Sequence, residues 1–160
     1  MKRLVILCFV LSGFVCRSQN FQREINEQVW IPFITSFGSR DTKSFIAVHS
    51  KDVVRVLRDS KELLNFDEYL KRTQQGEKYK NKLTLELRFN ERIADQEHGH
   101  EVGVYKTTSW DDKGESQSFY GRFHVVLRKE NGTWKILVDS DSSENESIGE
   151  KEFLAANAMQ

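Results

Sequence analysis

Apolar positions recur every four residues from Ile25 through Val29 and Phe33 to Phe37, with Trp30 and Ile34 beside them. That spacing lays one apolar stripe along a helix spanning 21–38. Pro32 falls inside the pattern, where it removes a backbone donor and predicts a kink near Gln28 to Val29. Gly38 supplies a stop. Asp41 stands where it caps a second helix, Thr42 to His49. The β-branched run Val53 to Arg58 reads as a strand. Leu63, Leu64, Tyr69 and Leu70 then predict a third helix over 61–75.

Beyond Lys82 the period switches to two. Leu83, Leu85, Leu87 and Phe89 share one face of a strand. Val102, Val104 and Lys106 alternate with Gly103, Tyr105 and Thr107, and Phe119 to Leu127 and Trp134 to Asp139 alternate in the same way. Asn131-Gly132 between the last two runs predicts a tight hairpin. Helix, helix, strand, helix and a four-strand meander describe an α+β domain, its helices packed on one face of a mainly antiparallel sheet. On each strand the apolar set is the natural core face.

The first residues have another character. Lys2 and Arg3 precede Leu4 to Val15, an uncharged and largely apolar run too short to span a bilayer. This is the pattern of a signal peptide over residues 1–18, cleaved after Ser18, and it predicts a secreted or periplasmic protein. The alternative is a lipoprotein anchored through Cys16. The whole chain balances 24 basic against 24 acidic residues. Loss of Lys2, Arg3 and Arg17 leaves 21 against 24, a net of −3. The mature chain has no basic excess for nucleic acid, no membrane segment and no cysteine, so disulfides, thiol catalysis and cysteine-held zinc are excluded.

The opening helix with Val29-Trp30-Ile31-Pro32-Phe33, the stretch Asp41 to Val56 and the closing hairpin Tyr120 to Leu137, with its Trp134-Lys135-Ile136, carry a resemblance. Together they resemble the nuclear transport factor 2-like (SnoaL-like, cystatin-like) superfamily. The resemblance covers roughly residues 22–142. It implies a cone-shaped fold over 19–142 whose curved sheet and helices enclose a pocket, and a homodimer formed through the sheet. The superfamily holds isomerases, cyclases and dehydratases beside non-catalytic modules, so the site must be argued from its own residues.

Isomerase-type chemistry needs a carboxylate base and donors for an enolate oxygen. The resemblance implies a base near the end of the first strand, where Asp59 lies just beyond Leu57-Arg58. His49 and His124 are further candidates for the base. Arg55, Arg88, Tyr105, Tyr120, Arg122 and His124 occupy polar strand positions, and with Trp30 they form the candidate ligand-binding set if those positions face the cone interior. Such a pocket would take a small hydrophobic or anionic ligand. His98 and His100 share a strand face but lack a third ligand, so no metal site is expected. No phosphate loop or cofactor motif appears, and no cofactor is expected. Asp139 to Glu152 holds six acidic residues and one Lys. It reads as a solvated acidic segment, with a short helix following in a C-terminal stretch spanning 143–160. Asp139, Asp141, Ser143 and Glu150 match calcium-loop positions, but Glu144 stands where the loop needs glycine.

These residues support a non-catalytic exported domain that binds a small ligand or a second copy of itself. The alternative is an isomerase-, cyclase- or dehydratase-like enzyme. A third reading is an interaction module whose pocket is filled by Trp30, Phe33 and Phe123.

Overall fold

The computed structural model describes residues 20–160. The expected leader, 1–18, and the lipid-anchor position Cys16 lie outside the described residues. The helical entry runs from 20 to 39 and changes winding on the way. An α-helical stretch over 20–25 passes into a π-helical turn at Asn26–Trp30 and then into α1, Ile31–Ser39. The Ile31 N–H reaches back to the Asn26 carbonyl, one residue further than an α-helix requires. Pro32, with no N–H to give, follows this shift. The interruption is a widened turn at the position where a kink was expected.

Helix α2, Thr42–Ala47, is capped by the Asp41 carboxylate, which accepts from the Ser44 N–H at 3.1 Å. It ends before His49, because the Val48 carbonyl accepts from the Ile136 N–H at 3.0 Å and draws the chain into strand β1, His49–Leu57. The expected single helix over 61–75 is instead a short strand β2, Glu62–Leu64, and a helix α3, Phe66–Gln74. Lys61 turns the chain in a left-handed conformation, and β2 pairs antiparallel with β1. Asn65 then starts α3 with a reciprocal capping box to Glu68. Apolar spacing alone does not separate these two elements.

Strands β3 (Leu83–Ala94), β4 (His98–Trp110), β5 (Ser116–Glu130) and β6 (Thr133–Ser142) form the antiparallel meander. Asn131 and Gly132 both take positive φ and close the β5–β6 hairpin. Strand β1 lies parallel to β6. Helix α4, Glu150–Ala155, and a two-residue strand β7, Asn157–Ala158, complete the chain. The sheet order is β2-β1-β6-β5-β4-β3-β7.

The main core lies between the helices and the concave sheet face. Ile25, Val29, Trp30, Phe89, Leu127, Trp134 and Ile136 are all essentially inaccessible there. On β4, however, the apolar alternate set points the other way. Val104 is buried on the opposite face under Ile148 and Phe153, with Tyr120 packed alongside. Gly103 and Tyr105 face the cone interior instead. A Cβ at Gly103 would fall 2.4 Å from the Phe123 ring, and one at Gly121 would fall 2.4 Å from the Tyr105 hydroxyl. These two glycines let both rings lie flat across the concave face. No helix among the described residues is long and apolar enough to cross a membrane.

Candidate functional site

Between the helices and the concave face is an inner cavity of about 180 Å³. Trp30 and Phe33 reach it from the helical entry, Phe45 from α2, Tyr69 from α3, and Tyr105 and Phe123 from the sheet. An outer compartment of about 270 Å³ shares Phe37, Phe45, Arg55 and Tyr69 with it and is lined further by Leu57, Leu64 and Leu83. Together they reach the size of small-molecule sites, about 300–1,000 Å³. Trp30, Phe89 and Phe123 stack edgewise with ring centres 5.6 to 5.7 Å apart. Trp30 and Phe123, with Phe33, line the inner cavity, and Phe89 packs behind them.

One polar group lies in the inner cavity wall. The Arg55 guanidinium donates from Nη1 to Asp139 Oδ1 at 3.0 Å and from Nη2 to Asp141 Oδ1 at 2.6 Å. The Tyr69 hydroxyl donates to Asp139 Oδ2 at 2.9 Å. The Tyr105 hydroxyl lies beside Asp141. His49 is sealed behind Asp139, among Phe33, Phe45 and Tyr69. Its Nδ1 is 3.0 Å from the Phe45 carbonyl, which can only accept. Its Nε2 faces Asp139 Oδ2 at 3.6 Å and makes no hydrogen bond.

Burial raises the pKa of a carboxylic acid and a neighbouring cation lowers it. For Asp139 burial is the largest single influence. The Arg55 charge, the nearby His49 ring and the Tyr69 hydroxyl bond together outweigh it, and hold the group down at about 2. Asp141 shares Arg55 but has fewer donors and a like-charged neighbour, so burial prevails and pushes it above its ordinary value. Burial, then the Asp141 charge, push the Tyr105 phenol up as well. Two carboxyl groups thus stand at ion-pair distance from one guanidinium, and Asp141 is the more easily protonated of the two.

Of the residues expected from sequence, Trp30, Arg55 and Tyr105 meet at this cavity, and His49 lies directly behind it. Asp59 does not belong to it. It sits in an exposed turn after β1 and accepts from the Ser142 hydroxyl at 2.6 Å and the Ser143 N–H at 2.8 Å. Arg88 faces outward, where it holds the Leu154 and Ala156 carbonyls and lies over the Phe153 ring. Tyr120 packs against Phe153, and Arg122 pairs with Glu144 at 3.1 Å. His124 is on the same outer face, 6.5 Å from the His100 ring. Burial and the Arg58 charge push its pKa down. His98 and His100 pair separately with Asp95 and Glu91.

Asp139, Asp141 and Tyr69 were not singled out for the site. The first two belong to β6 and to the cavity, not to a solvated acidic segment. Their signal was the continuation of the strand pattern past Ile136. It is obscured because β6 carries a bulge between Ile136 and Val138. The extra residue reverses the alternation, so Asp139 and Asp141 share the concave face with Trp134 and Ile136.

No protein-family model matches the chain, and no curated protein sequence matches it. Solved structures do. A conserved protein from Planctomyces limnophilus DSM 3776 superposes with a TM-score of 0.67 at 14% identity, over 76% of this chain and 94% of that one. A nuclear transport factor 2-like protein of unknown function from Pseudomonas putida KT2440 gives a TM-score of 0.63 at 15% identity, over 78% and 87%. A ketosteroid isomerase-like protein from Erwinia carotovora atroseptica SCRI1043 gives 0.59 at 16%, over 74% and 92%. The chain has the nuclear transport factor 2-like fold, as the resemblance implied. At these identities the likeness concerns the fold alone.

Proposed function

We propose that this protein is an exported, non-catalytic nuclear transport factor 2-like domain that binds a small, largely apolar ligand in its cone. The observation that carries this reading is the cavity itself, walled by aromatic side chains and with one polar cluster able to orient what enters. The proposed anionic ligand loses support, because both arms of the Arg55 guanidinium already serve carboxylates. Export rests on residues 1–18, and the mature mass separates cleavage after Ser18 from a lipid-modified Cys16.

Homodimerisation is supported by a row on the outer sheet face that is apolar except at His100. Ile93, His100, Val126, Val138 and Val54 lie directly across five strands. Ile93 and Val54 are exposed. The test is native mass spectrometry of the protein purified from its own source. The expected species is a dimer retaining a small organic molecule, and a ligand-free monomer overturns both proposals.

One observation favours the second reading, an isomerase-, cyclase- or dehydratase-like enzyme. Asp141 is a cavity carboxylate beside a tyrosine, the pairing that proton abstraction next to a carbonyl requires. The Arg55 contact works against it by stabilising the ionised carboxylate and weakening the base. Deuterium exchange at the α-carbon of a small cyclic ketone, lost in Asp141→Asn, would support catalysis. No exchange above the buffer rate leaves the binding reading.

A further inference from the structure

The inner cavity combines two features that act on the same kind of ligand. Its charged wall residues are Arg55, Asp139 and Asp141, one cation against two carboxylates. Arg55 is drawn between its two partners, so an entering group meets the excess negative charge. Asp139 has both oxygens engaged, by Arg55 and by Tyr69. Asp141 accepts from Arg55 through Oδ1, has the Tyr105 hydroxyl beside it, and is the more exposed of the two carboxylates in the cavity wall. Around these groups stand the rings of Trp30, Phe33, Phe45, Tyr69, Tyr105 and Phe123. Ring faces attract cations, most strongly where water is excluded. The site already holds one such contact, with the Arg55 guanidinium carbon 5.5 Å from the centre of the Tyr69 ring.

We infer that the ligand is a small organic cation, an alkyl- or aryl-ammonium, whose head lies against Asp141 within the aromatic wall. The inference rests on the reading that the cone holds a ligand, and it adds the chemical class. A neutral guest gains from the rings and from one hydrogen bond. An ammonium gains from ring faces and carboxylate together, and it balances a buried charge that is otherwise left over. An anion meets like charge and finds Arg55 occupied. The apolar body of the cation extends into the outer compartment, against Leu57, Leu64 and Leu83. Arg72 is paired with Glu62, and Arg40 is held by the Asn81 side chain beside Asp41.

Three probes of one shape class separate charge from fit: phenyltrimethylammonium, its neutral isostere tert-butylbenzene, and benzoate. Isothermal titration of the purified chain at pH 7 should show the ammonium binding at least tenfold more tightly than the isostere, with no heat from benzoate. Asp141→Asn should bring the ammonium and the isostere within about threefold of each other. Val125→Trp, which fills the cavity from β5, should remove binding of both while the chain still melts cooperatively. Equal affinity for ammonium and isostere in the wild-type chain, or preference for benzoate, overturns the cation inference and leaves the ligand-binding reading standing. If none of the three binds, both fail. The wild-type comparison suffices if Asp141→Asn does not fold.

Discussion

The concave side of this sheet holds two buried arginine–carboxylate groups, and they differ in the two respects that decide function. At the first, Glu101 is completely buried and accepts from the Trp30 indole N–H and from Arg92 Nε at 2.9 Å, with Arg92 Nη2 in ion-pair contact at 2.8 Å. Arg92 Nη2 also donates to the Asn26 side-chain carbonyl at 2.7 Å. One charge faces one charge, and protein closes around Glu101. At the second, one arginine serves two aspartates, and the group borders an open, aromatic-walled cavity. The first group joins the π-helical turn to strands β3 and β4. The second has charge and space left over. An arginine–carboxylate pair is therefore not by itself the mark of a site; the proposed ligand site is distinguished by its surplus carboxylate beside an unfilled volume.

The largest expected effect breaks the closed group. Glu101→Ala leaves the Trp30 N–H without its acceptor and the largely buried Arg92 guanidinium with only Asn26, and loss of one partner of a buried pair costs about 3–5 kcal/mol. Urea denaturation should show that loss. Glu101→Gln should cost less, because an amide oxygen still accepts. A loss below about 1 kcal/mol for Glu101→Ala would show that the closed group is not structural.

Next comes the open group, where the effect should depend on pH. Asp139 is held at about 2, below its ordinary 3.8, so its stabilising share is complete above pH 3.8 and is lost as pH falls through 3.8 towards 2. Asp141, raised by burial, works in the opposite sense and costs stability as pH rises above 3.8. In Arg55→Met both carboxylates lose their cation and both behave as Asp141 does. The variant should be destabilised by about 3 kcal/mol at pH 7 and by much less near pH 3, where both acids accept protons. A penalty that does not change between these pH values would show that Arg55 acts through packing alone.

How much of this was legible in the chain follows from local parity. The four-residue apolar spacing, Pro32 and Asn131-Gly132 act through contacts close in sequence, so the helical entry, its irregular turn and the last hairpin could be read directly. Arg55, Tyr105 and Trp30, which line the inner cavity, are legible because polar and aromatic side chains on a cone's strands and opening helix stand out. The face was another matter. On β4 the set Val102 and Val104 looks like core, yet Ile148 and Phe153 cover Val104 from outside and leave Tyr105 and Glu101 within. On β6 the bulge moves Asp139 and Asp141 inward. Both outcomes depend on contacts distant in sequence, which composition and period do not report. Asp59 was named by its nearness to the end of the first strand, but β1 stops at Leu57 and the next residues turn outward.

A smaller effect on stability should come from Asp141→Asn. The amide oxygen still accepts from Arg55 Nη2, and the substitution removes the excess negative charge, so the two changes oppose each other. Stability at pH 7 should stay within about 1 kcal/mol of wild type. Phenyltrimethylammonium affinity should nevertheless fall at least tenfold. In the wild-type chain that affinity should also decline with acid, starting above pH 3.8, because Asp141 protonates above its ordinary value. Affinity constant down to pH 3.8 would show that the ammonium does not depend on Asp141.

The least effect is expected from Asp59→Asn, and it tests the rule drawn from the two buried groups at its edge. Asp59 lies close in sequence to Arg55, and its hydrogen-bond partner Ser142 follows Asp141 directly. Proximity alone would therefore include it in the site. But it is exposed, its partners are a hydroxyl and a backbone N–H, and it borders neither compartment. Its carboxylate ties the end of β6 to the turn after β1, and an amide oxygen retains most of that function. Stability should change by less than about 1 kcal/mol, and affinity for phenyltrimethylammonium should stay within twofold of wild type. A tenfold loss of affinity at unchanged stability would mean that the β1 turn positions Asp141 for its ligand, and that the open group extends beyond the residues in its wall.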